Sequence, residues 1–214
     1  MRGRAIIIGI IVVLTLAGLV WYYNQQPSPE TADQTAALGE IATKEELTGS
    51  AEGEFILGSP QASVTLIEYS SPLCGHCVNF HRDTLPLIIN KYIKTGKVKL
   101  IPRLLSPPQL STAALCAHEQ GNFWNFNEYL FEHSQELKSV DDLKAAANSL
   151  GLNQEQFNQC FDEGKYREII MEWFNQADEA GVEGTPTFFV NDRKIVGNQL
   201  YAVFEEIIDQ ELAQ

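Results

Sequence analysis

The sequence predicts an α/β domain that is interrupted by an all-helical insertion. Three observations support this fold class. A strand, a helix and a second strand open the globular part of the chain, a long block with only helical periodicity follows, and strand signals return near the end, before a last amphipathic helix. One sheet whose sequence is split by inserted helices explains this order most simply.

The N-terminal segment, residues 1–23, has the pattern of an export signal. Arg2 and Arg4 precede an uncharged apolar run that ends in the aromatic residues 21–23. We expect a signal-anchor that crosses the membrane, with its basic flank in the cytoplasm and its aromatic end at the outer interface. A cleaved signal peptide is an alternative, although the bulky residues after Leu19 offer no small-residue cleavage site, and a buried soluble helix is a third.

Residues 24–52 are predicted to form a flexible linker, because they are rich in Gln, Pro, Thr, Ala and Glu and have no sustained apolar period. The globular domain is then expected over residues 53–214, on the extracytoplasmic side of the membrane. The chain is 44% hydrophobic, which is enough for a core, and its net charge of −13 makes nucleic acid a poor partner.

The domain opens with a predicted strand-helix-strand unit. Residues 64–69 are predicted to be a central strand, and the helix that follows them is expected to kink at Pro86. Residues 98–105 are predicted to be an edge strand, because Pro102 cannot donate to a sheet ladder. Such a unit makes parallel strands and places chemistry at their carboxyl ends.

The predicted helical insertion covers residues 106–180, so that the sheet is built from the parts 53–105 and 181–214. Glycines separate the insertion's helical segments, which are 113–120, 124–135, 140–150, 154–161 and 166–180. After the insertion, the part 181–214 has predicted strands at 187–190 and 194–197, a turn between them, and a final helix from residue 201 onward.

All four cysteines follow the export segment and are therefore expected on the side of the membrane where disulfides persist. They are Cys74, Cys77, Cys116 and Cys160. Four cysteines allow three pairings, and only the spacing of Cys74 and Cys77 indicates which partners belong together.

The motif Cys74-Gly75-His76-Cys77 is predicted to open the first helix. In the first turn, Cys74 would face unpaired backbone N–H groups and the positive end of the helix dipole, which stabilise a thiolate. Cys74 is therefore the expected nucleophile, and Cys77, one turn further on, would displace the mixed disulfide. His76 is expected to direct a hydrogen bond or a positive charge toward the sulfur, which would make the disulfide a better oxidant.

Other uses of a Cys-x-x-Cys pair fit the sequence less well. Haem attachment needs a histidine directly after the second cysteine, where this chain has Val78, and a structural zinc site would usually add a second close ligand pair. His81 could complete a three-ligand site with Cys74 and Cys77, as in a copper-delivery module. We expect His81 to lie on the helix surface instead, and we expect no metal.

Four motifs occur in a fixed order: Leu-Gly-Ser-Pro at 57–60, Ile-Glu-Tyr-Ser at 67–70, the dithiol, and Gly-Thr-Pro-Thr-Phe-Phe-Val-Asn at 184–191. Together they resemble the DsbA-like family of thiol-disulfide oxidoreductases, which belongs to the thioredoxin superfamily. The resemblance covers about residues 53–214. It implies a thioredoxin-like fold and disulfide exchange without a cofactor in this chain.

The same resemblance implies roles for three further residues. Pro186 should follow a cis peptide bond and pack beside the dithiol, and the backbone of Thr185 should pair with an extended substrate. Glu68 resembles the family's buried carboxylate, which accepts a proton from the second cysteine through water. An exposed Glu68 on the outer face of its strand is the alternative.

The remaining cysteines, Cys116 and Cys160, are expected to form a structural disulfide that stabilises the domain by roughly 4 kcal/mol. A pair that passes electrons to Cys74 and Cys77 is the alternative, although neither cysteine lies in a reactive motif. The aromatic residues of the same insertion are expected to form its core and a groove wall. They are Phe123, Trp124, Phe126, Tyr129 and Phe131.

We expect a disulfide oxidase that donates the Cys74–Cys77 disulfide to exported proteins through a mixed disulfide at Cys74. By resemblance, its partners would be exported proteins with free thiols and a quinone-linked, DsbB-like membrane protein that reoxidises it. A membrane-tethered reductase or isomerase has the same motifs and remains an alternative. Isomerases of this kind are dimers with an N-terminal dimerisation domain, for which residues 24–50 are too short and too polar, so we expect a monomer.

Overall fold

The computed structural model describes residues 55–214. The predicted signal-anchor (1–23) and linker (24–52) lie outside the described residues. Within 55–214, no helix is both long enough and apolar enough to cross a membrane.

A mixed sheet of four strands, in the order β2-β1-β3-β4, forms the centre of the fold. The strands are β1 (Val64–Ser70), β2 (Val98–Leu104), β3 (Thr187–Val190) and β4 (Arg193–Val196). β1 pairs with β2 in parallel and with β3 antiparallel, and β3 and β4 form a hairpin. The strand that contains Pro102 lies at the sheet edge, as the missing N–H predicts.

The hairpin turn is tied to the central strand by Asn191. Its backbone has a φ of 50°, a left-handed conformation that Asn tolerates better than most residues. The Asn191 Oδ1 accepts a hydrogen bond from the Thr65 N–H at 2.9 Å, and the Asn191 N–H donates to the Thr65 carbonyl oxygen at 2.8 Å. These two bonds fix the register of the last two strands against β1.

The first helix, α1, covers residues 75–93 in four consecutive segments. Gly75–Asn79 and Leu85–Ile88 are α-helical, whereas Phe80–Thr84 and Ile89–Ile93 are π-helical. Pro86, where the sequence predicts a kink, is the second residue of the α-helical segment that follows the first π-helical segment. A proline has no N–H for the carbonyl one turn earlier, so an irregular turn before it is expected.

The insertion has five α-helices: α2 (Pro108–His118), α3 (Phe123–Glu132), α4 (Val140–Ser149), α5 (Gln154–Glu163) and α6 (Arg167–Glu179). α4 begins with a capping box between Ser139 and Asp142, and α5 ends at Gly164 in the left-handed conformation. The last helix, α7, is Tyr201–Leu212. The predicted α/β class with a helical insertion is thus confirmed.

Buried apolar side chains form two clusters, one in the insertion and one between the sheet, α1 and α7. Cys77 belongs to the insertion's cluster, although it lies on α1, and Cys74 and Val78 pack against the same cluster. Trp124 of α3 contacts both clusters. The dithiol is therefore held at the boundary between the sheet layer and the inserted helices.

Candidate active site at the Cys74–Cys77 dithiol

Cys74 lies just beyond the carboxyl end of β1, at the N-cap of α1. The chain leaves the strand at Ser70 and turns, and the Cys74 N–H donates to the Ser71 carbonyl oxygen at 3.0 Å. Cys74 has extended backbone angles, and its own carbonyl oxygen accepts the first helical hydrogen bond, from Val78 at 3.0 Å. The position is the one that a strand-helix-strand unit predicts for a reactive group.

The environment of Cys74 favours a thiolate. Burial alone would raise the pKa of the Cys74 thiol, but the backbone N–H groups of Cys77 and His76, together with the side chains of Thr185 and Cys77, lower that pKa by more. The net effect is a pKa below the ordinary value for cysteine. A half-buried thiol with a lowered pKa forms the nucleophilic thiolate more readily than an ordinary cysteine.

Cys77 has the opposite environment. Its side chain is fully buried, and the Ser71 N–H donates to its Sγ at 3.5 Å. Burial, assisted by the negative charge of Glu68, raises the pKa of the Cys77 thiol far above its ordinary value. Cys77 is therefore harder to ionise than Cys74, and both are free thiols in this structure.

The loop before β3 brings Thr185 to the dithiol. The Cys74 thiol donates to the Thr185 carbonyl oxygen at 3.2 Å, and the peptide bond between Thr185 and Pro186 is cis. The Thr187 hydroxyl donates to the Gly184 carbonyl oxygen at 2.7 Å, and the Gly197 N–H donates to the Pro186 carbonyl oxygen at 2.8 Å. These bonds fix the end of the loop at the start of β3, next to Cys74.

The side chain of His76 is exposed. Its backbone N–H is one of the groups that lower the pKa of Cys74. A role for the imidazole ring itself, which the sequence predicts, stays a prediction.

Glu68 is buried in the middle of β1, with 1% of its side chain exposed. It lies opposite Pro102 of β2 and Phe188 of β3 in the sheet register. Its Oε1 lies 2.8 Å from Nε2 of His81. The outward-facing alternative for Glu68 is therefore wrong, and the carboxylate has a partner that the sequence analysis did not assign.

His81 does not lie on the helix surface, and that expectation was wrong. Only 10% of its side chain is exposed, and its ring stacks on Phe131 of α3 with centroids 3.5 Å apart. A signal for this was available, because Cys77 and His81 are four residues apart and share a helix face. Burial of Glu68 also demanded a hydrogen-bond donor nearby.

The metal-site alternative gains no support from the described part of the chain. Within residues 55–214, no group of three or more His, Cys, Asp or Glu side chains is arranged to hold a metal ion. His81, which the sequence could have placed with the two thiols, is bonded to Glu68.

Cys116 of α2 and Cys160 of α5 are joined by a disulfide, across a sequence separation of 44 residues. Both side chains are buried in the insertion's core. The aromatic residues around them divide as follows: Phe123, Phe126 and Phe131 are buried, while Trp124 and Tyr129 are partly buried and pack against the same cluster. Phe131 also forms one wall of the Glu68–His81 pair.

A family model described as thioredoxin matches residues 50–210 of the chain. Among curated relatives, a Rickettsia typhi protein named as a protein-disulfide oxidoreductase is 26% identical over 147 residues, which are 64% of this chain and 54% of that protein. The chain thus spans about half the length of that relative. The disulfide bond formation protein D of Bacillus subtilis is 26% identical over 177 residues, 76% of this chain and 79% of that protein.

Two solved structures share the fold. The alpha-DsbA1 protein of Wolbachia pipientis has a TM-score of 0.70 and 28% identity, over 79% of this chain and 96% of its own. Oxidised BdbD from Bacillus subtilis has a TM-score of 0.70 and 25% identity, over 78% of this chain and 97% of its own. These likenesses confirm the thioredoxin-like fold with a helical insertion.

Proposed function

Because the chain belongs to the thioredoxin family and is DsbA-like within it, we propose that it is a protein-disulfide oxidoreductase whose redox-active pair is Cys74 and Cys77. The observation that carries this proposal is the contrast between the two thiols. One is half-buried with a lowered pKa, and the other is fully buried with a raised pKa. Disulfide exchange needs such a pair, one thiol that reacts with substrate and one that stays protected.

In the direction we propose, the protein is an oxidase. A thiolate of the substrate attacks Sγ of Cys74, the Cys74–Cys77 bond breaks, and Cys77 leaves as a thiolate that takes up a proton. A second substrate thiolate then attacks the substrate sulfur of the mixed disulfide and displaces the Cys74 thiolate. The substrate gains a disulfide and the protein becomes a dithiol, so two electrons pass from the substrate to the protein.

The lowered pKa of Cys74 supports this direction. A thiolate that the folded protein stabilises makes the reduced form more favourable, and a protein with a stable reduced form is a strong oxidant. The reductase or isomerase direction uses the same residues, and the reduction potential distinguishes it from the oxidase direction.

For substrate binding we propose Thr185 and Pro186, whose loop lies against the nucleophile. An extended segment of substrate would pair with this backbone, as in β-strand addition. Three exposed apolar side chains are close in sequence to residues that contact the loop: Leu73 precedes Cys74, and Val196 and Leu200 are one and three residues from Gly197, whose N–H donates to the Pro186 carbonyl oxygen. Such a surface fits unfolded chains, which expose both apolar side chains and free thiols.

We further propose that the protein works as a monomer on the extracytoplasmic, periplasmic side of a membrane, tethered by the predicted N-terminal anchor. Its substrates would be exported proteins with free thiols, and a quinone-linked membrane protein of the DsbB type would reoxidise it. The disulfide between Cys116 and Cys160 supports an oxidising compartment, since such bonds are rare where thiols are kept reduced.

The test is oxidation of a reduced, unfolded protein such as ribonuclease A by one equivalent of the oxidised full chain. We expect loss of substrate thiols together with gain of two protein thiols at Cys74 and Cys77. In the reverse direction, the reduced Cys77→Ser variant mixed with scrambled, disulfide-bonded ribonuclease A should accumulate a mixed disulfide through Cys74, because Cys74 attacks a substrate disulfide and no resolving thiol remains. Cys74→Ser should form none. Absence of exchange at Cys74 in the unmodified protein would reject the proposed function.

A further inference from the structure

The buried pair formed by Glu68 and His81 has no part in the exchange of sulfur atoms. Glu68 belongs to the central strand and His81 to α1, one helical turn after Cys77. A carboxylate buried as deeply as Glu68 is costly unless it is hydrogen-bonded, and His81 supplies that bond at 2.8 Å. The pair therefore calls for an explanation beyond packing.

The orientation of the His81 ring is fixed by its neighbours. Phe131 of the insertion stacks on the ring with an interplanar angle of 13°, and Phe80 meets it edge-on with centroids 5.8 Å apart. In either protonation state of the imidazole, an Nε2–H directed at Glu68 can donate to Oε1. The inserted helices thus help to hold the donor against the carboxylate.

Glu68 is electrostatically coupled to Cys77. Its negative charge is one of the causes that raise the pKa of the Cys77 thiol, after burial. Each exchange cycle changes the protonation of Cys77, which leaves as a thiolate when the disulfide is attacked and must lose a proton when the disulfide forms again. Because Cys77 is fully buried, a nearby group has to exchange that proton.

We propose that His81 is a positioning residue for proton transfer at Cys77, acting through Glu68. This inference rests on the proposed function. His81 donates to one oxygen of the carboxylate and fixes its orientation, so that the other oxygen exchanges the proton with Cys77. When the dithiol is reoxidised, Cys77 attacks the mixed disulfide between Cys74 and the oxidant. The Cys77 proton passes to the carboxylate, a new bond forms between the two cysteines, and the sulfur of the oxidant leaves as a thiolate.

Two substitutions separate this role from simple packing. His81→Phe keeps an aromatic ring against Phe131 but removes the donor, whereas His81→Gln keeps an N–H at a similar distance from the backbone but removes the ring. If His81 only packs against Phe131, His81→Gln should be the more damaging change. If His81 positions Glu68, His81→Phe should be the more damaging change, and His81→Gln should keep most of the rate at which Cys77 resolves a mixed disulfide.

The measurement is the rate at which Cys77 resolves a mixed disulfide between Cys74 and glutathione, followed by rapid quench and mass spectrometry after the reduced full chain is mixed with oxidised glutathione. We expect His81→Phe to slow this step by at least about tenfold, which is less than the roughly 10²–10⁴-fold contribution of a proton-transfer group itself, because His81 acts only through Glu68. The resolving rate of His81→Gln should stay within about threefold of that of the unmodified protein, because the glutamine side chain still has an N–H that can donate to Glu68. Alkylation of Cys74 by iodoacetamide should be unchanged in both.

His133 offers a matched control. His133 is the C-cap of the helix that carries Phe131. Its ring stacks on Tyr129 with centroids 4.0 Å apart, and its Nδ1 lies 3.1 Å from the Tyr129 carbonyl oxygen. His133→Phe makes the same chemical change away from Glu68. It should leave the resolving rate unchanged, and an effect as large as that of His81→Phe would overturn the proposal.

A double-mutant cycle with Glu68→Gln completes the test. If His81 acts through Glu68, Glu68→Gln and Glu68→Gln/His81→Phe should resolve the mixed disulfide at the same slow rate. Neither variant contains an unpaired buried carboxylate, so the comparison holds even if His81→Phe alone does not fold. The proposal would be overturned if the double variant resolved the mixed disulfide more slowly than Glu68→Gln, by the factor that His81→Phe alone causes. It would also be overturned if His81→Phe resolved the mixed disulfide at the unmodified rate. If the unmodified chain forms no mixed disulfide at Cys74, the proposed function itself fails.

Discussion

The Cys74 sulfur lies 3.2 Å from the carbonyl oxygen of Thr185, a residue 111 positions later in the chain. This contact places the nucleophile and a backbone edge that can bind an extended chain in one location. It also brings together two parts of the chain, one after β1 and one before β3, that the helical insertion separates in sequence. The chemistry and the proposed substrate site thus depend on the same pair of residues.

The lowered pKa of Cys74 predicts an early onset of reactivity as pH rises. A thiol with a lowered pKa reaches half ionisation at a correspondingly lower pH than an ordinary cysteine, so its alkylation begins at lower pH. Cys77, whose pKa is raised, should stay unreactive through the same range. Iodoacetamide alkylation of the reduced full chain, followed by peptide mass spectrometry at each pH, measures both. Equal reactivity of the two thiols would contradict the proposed asymmetry.

The apolar surface beside the Thr185–Pro186 loop predicts that Leu200 contributes to binding of unfolded substrates. Leu200 is 79% exposed, so Leu200→Gln should leave stability nearly unchanged. The kcat/KM of the Leu200→Gln variant for oxidation of an unfolded protein should fall roughly tenfold, which corresponds to about 1.4 kcal/mol of lost apolar contact. Exchange with glutathione should not change.

Met171 provides the comparison for this experiment. It is 60% exposed on α6, in a different part of the surface, and Met171→Gln makes a similar loss of apolar area. If Met171→Gln impairs oxidation of the unfolded protein as much as Leu200→Gln does, the proposed binding surface is wrong.

The disulfide between Cys116 and Cys160 is expected to stabilise the fold without taking part in exchange. A Cys116→Ala/Cys160→Ala variant should lose roughly 4 kcal/mol of unfolding free energy, because the unfolded chain is no longer constrained by the cross-link. Urea unfolding of oxidised protein measures this loss. The rate of exchange at Cys74 should stay close to that of the unmodified protein, and a large fall in that rate would favour the electron-passing alternative.

Local patterns were sufficient to predict the sheet and the position of the dithiol at the start of α1. Alternating and continuous apolar runs located β1 and β2, the missing N–H of Pro102 placed β2 at the edge, and the Cys-x-x-Cys spacing identified the start of α1. The position of Thr185 beside Cys74 came only from the family resemblance, since no local signal links residues so far apart in sequence. Periodicity alone cannot supply such contacts.

The burial of His81 was not predicted from the sequence. The spacing of four residues between His81 and Cys77 indicates a shared helix face, but the contact of His81 with Phe131 depends on how the insertion packs against α1. The burial of Glu68 was anticipated, but the chain holds several polar side chains that could have paired with it. Only the packed structure selects His81 as the partner.

The reduction potential of the Cys74–Cys77 couple tests the central claim most directly. The full chain would be equilibrated in glutathione buffers of known potential and the two thiols titrated by mass spectrometry, with Cys116 and Cys160 followed separately. We expect a value above about −180 mV, in the range of proteins that oxidise their substrates. A value near −270 mV or lower would contradict it, since such a couple would reduce disulfides rather than form them.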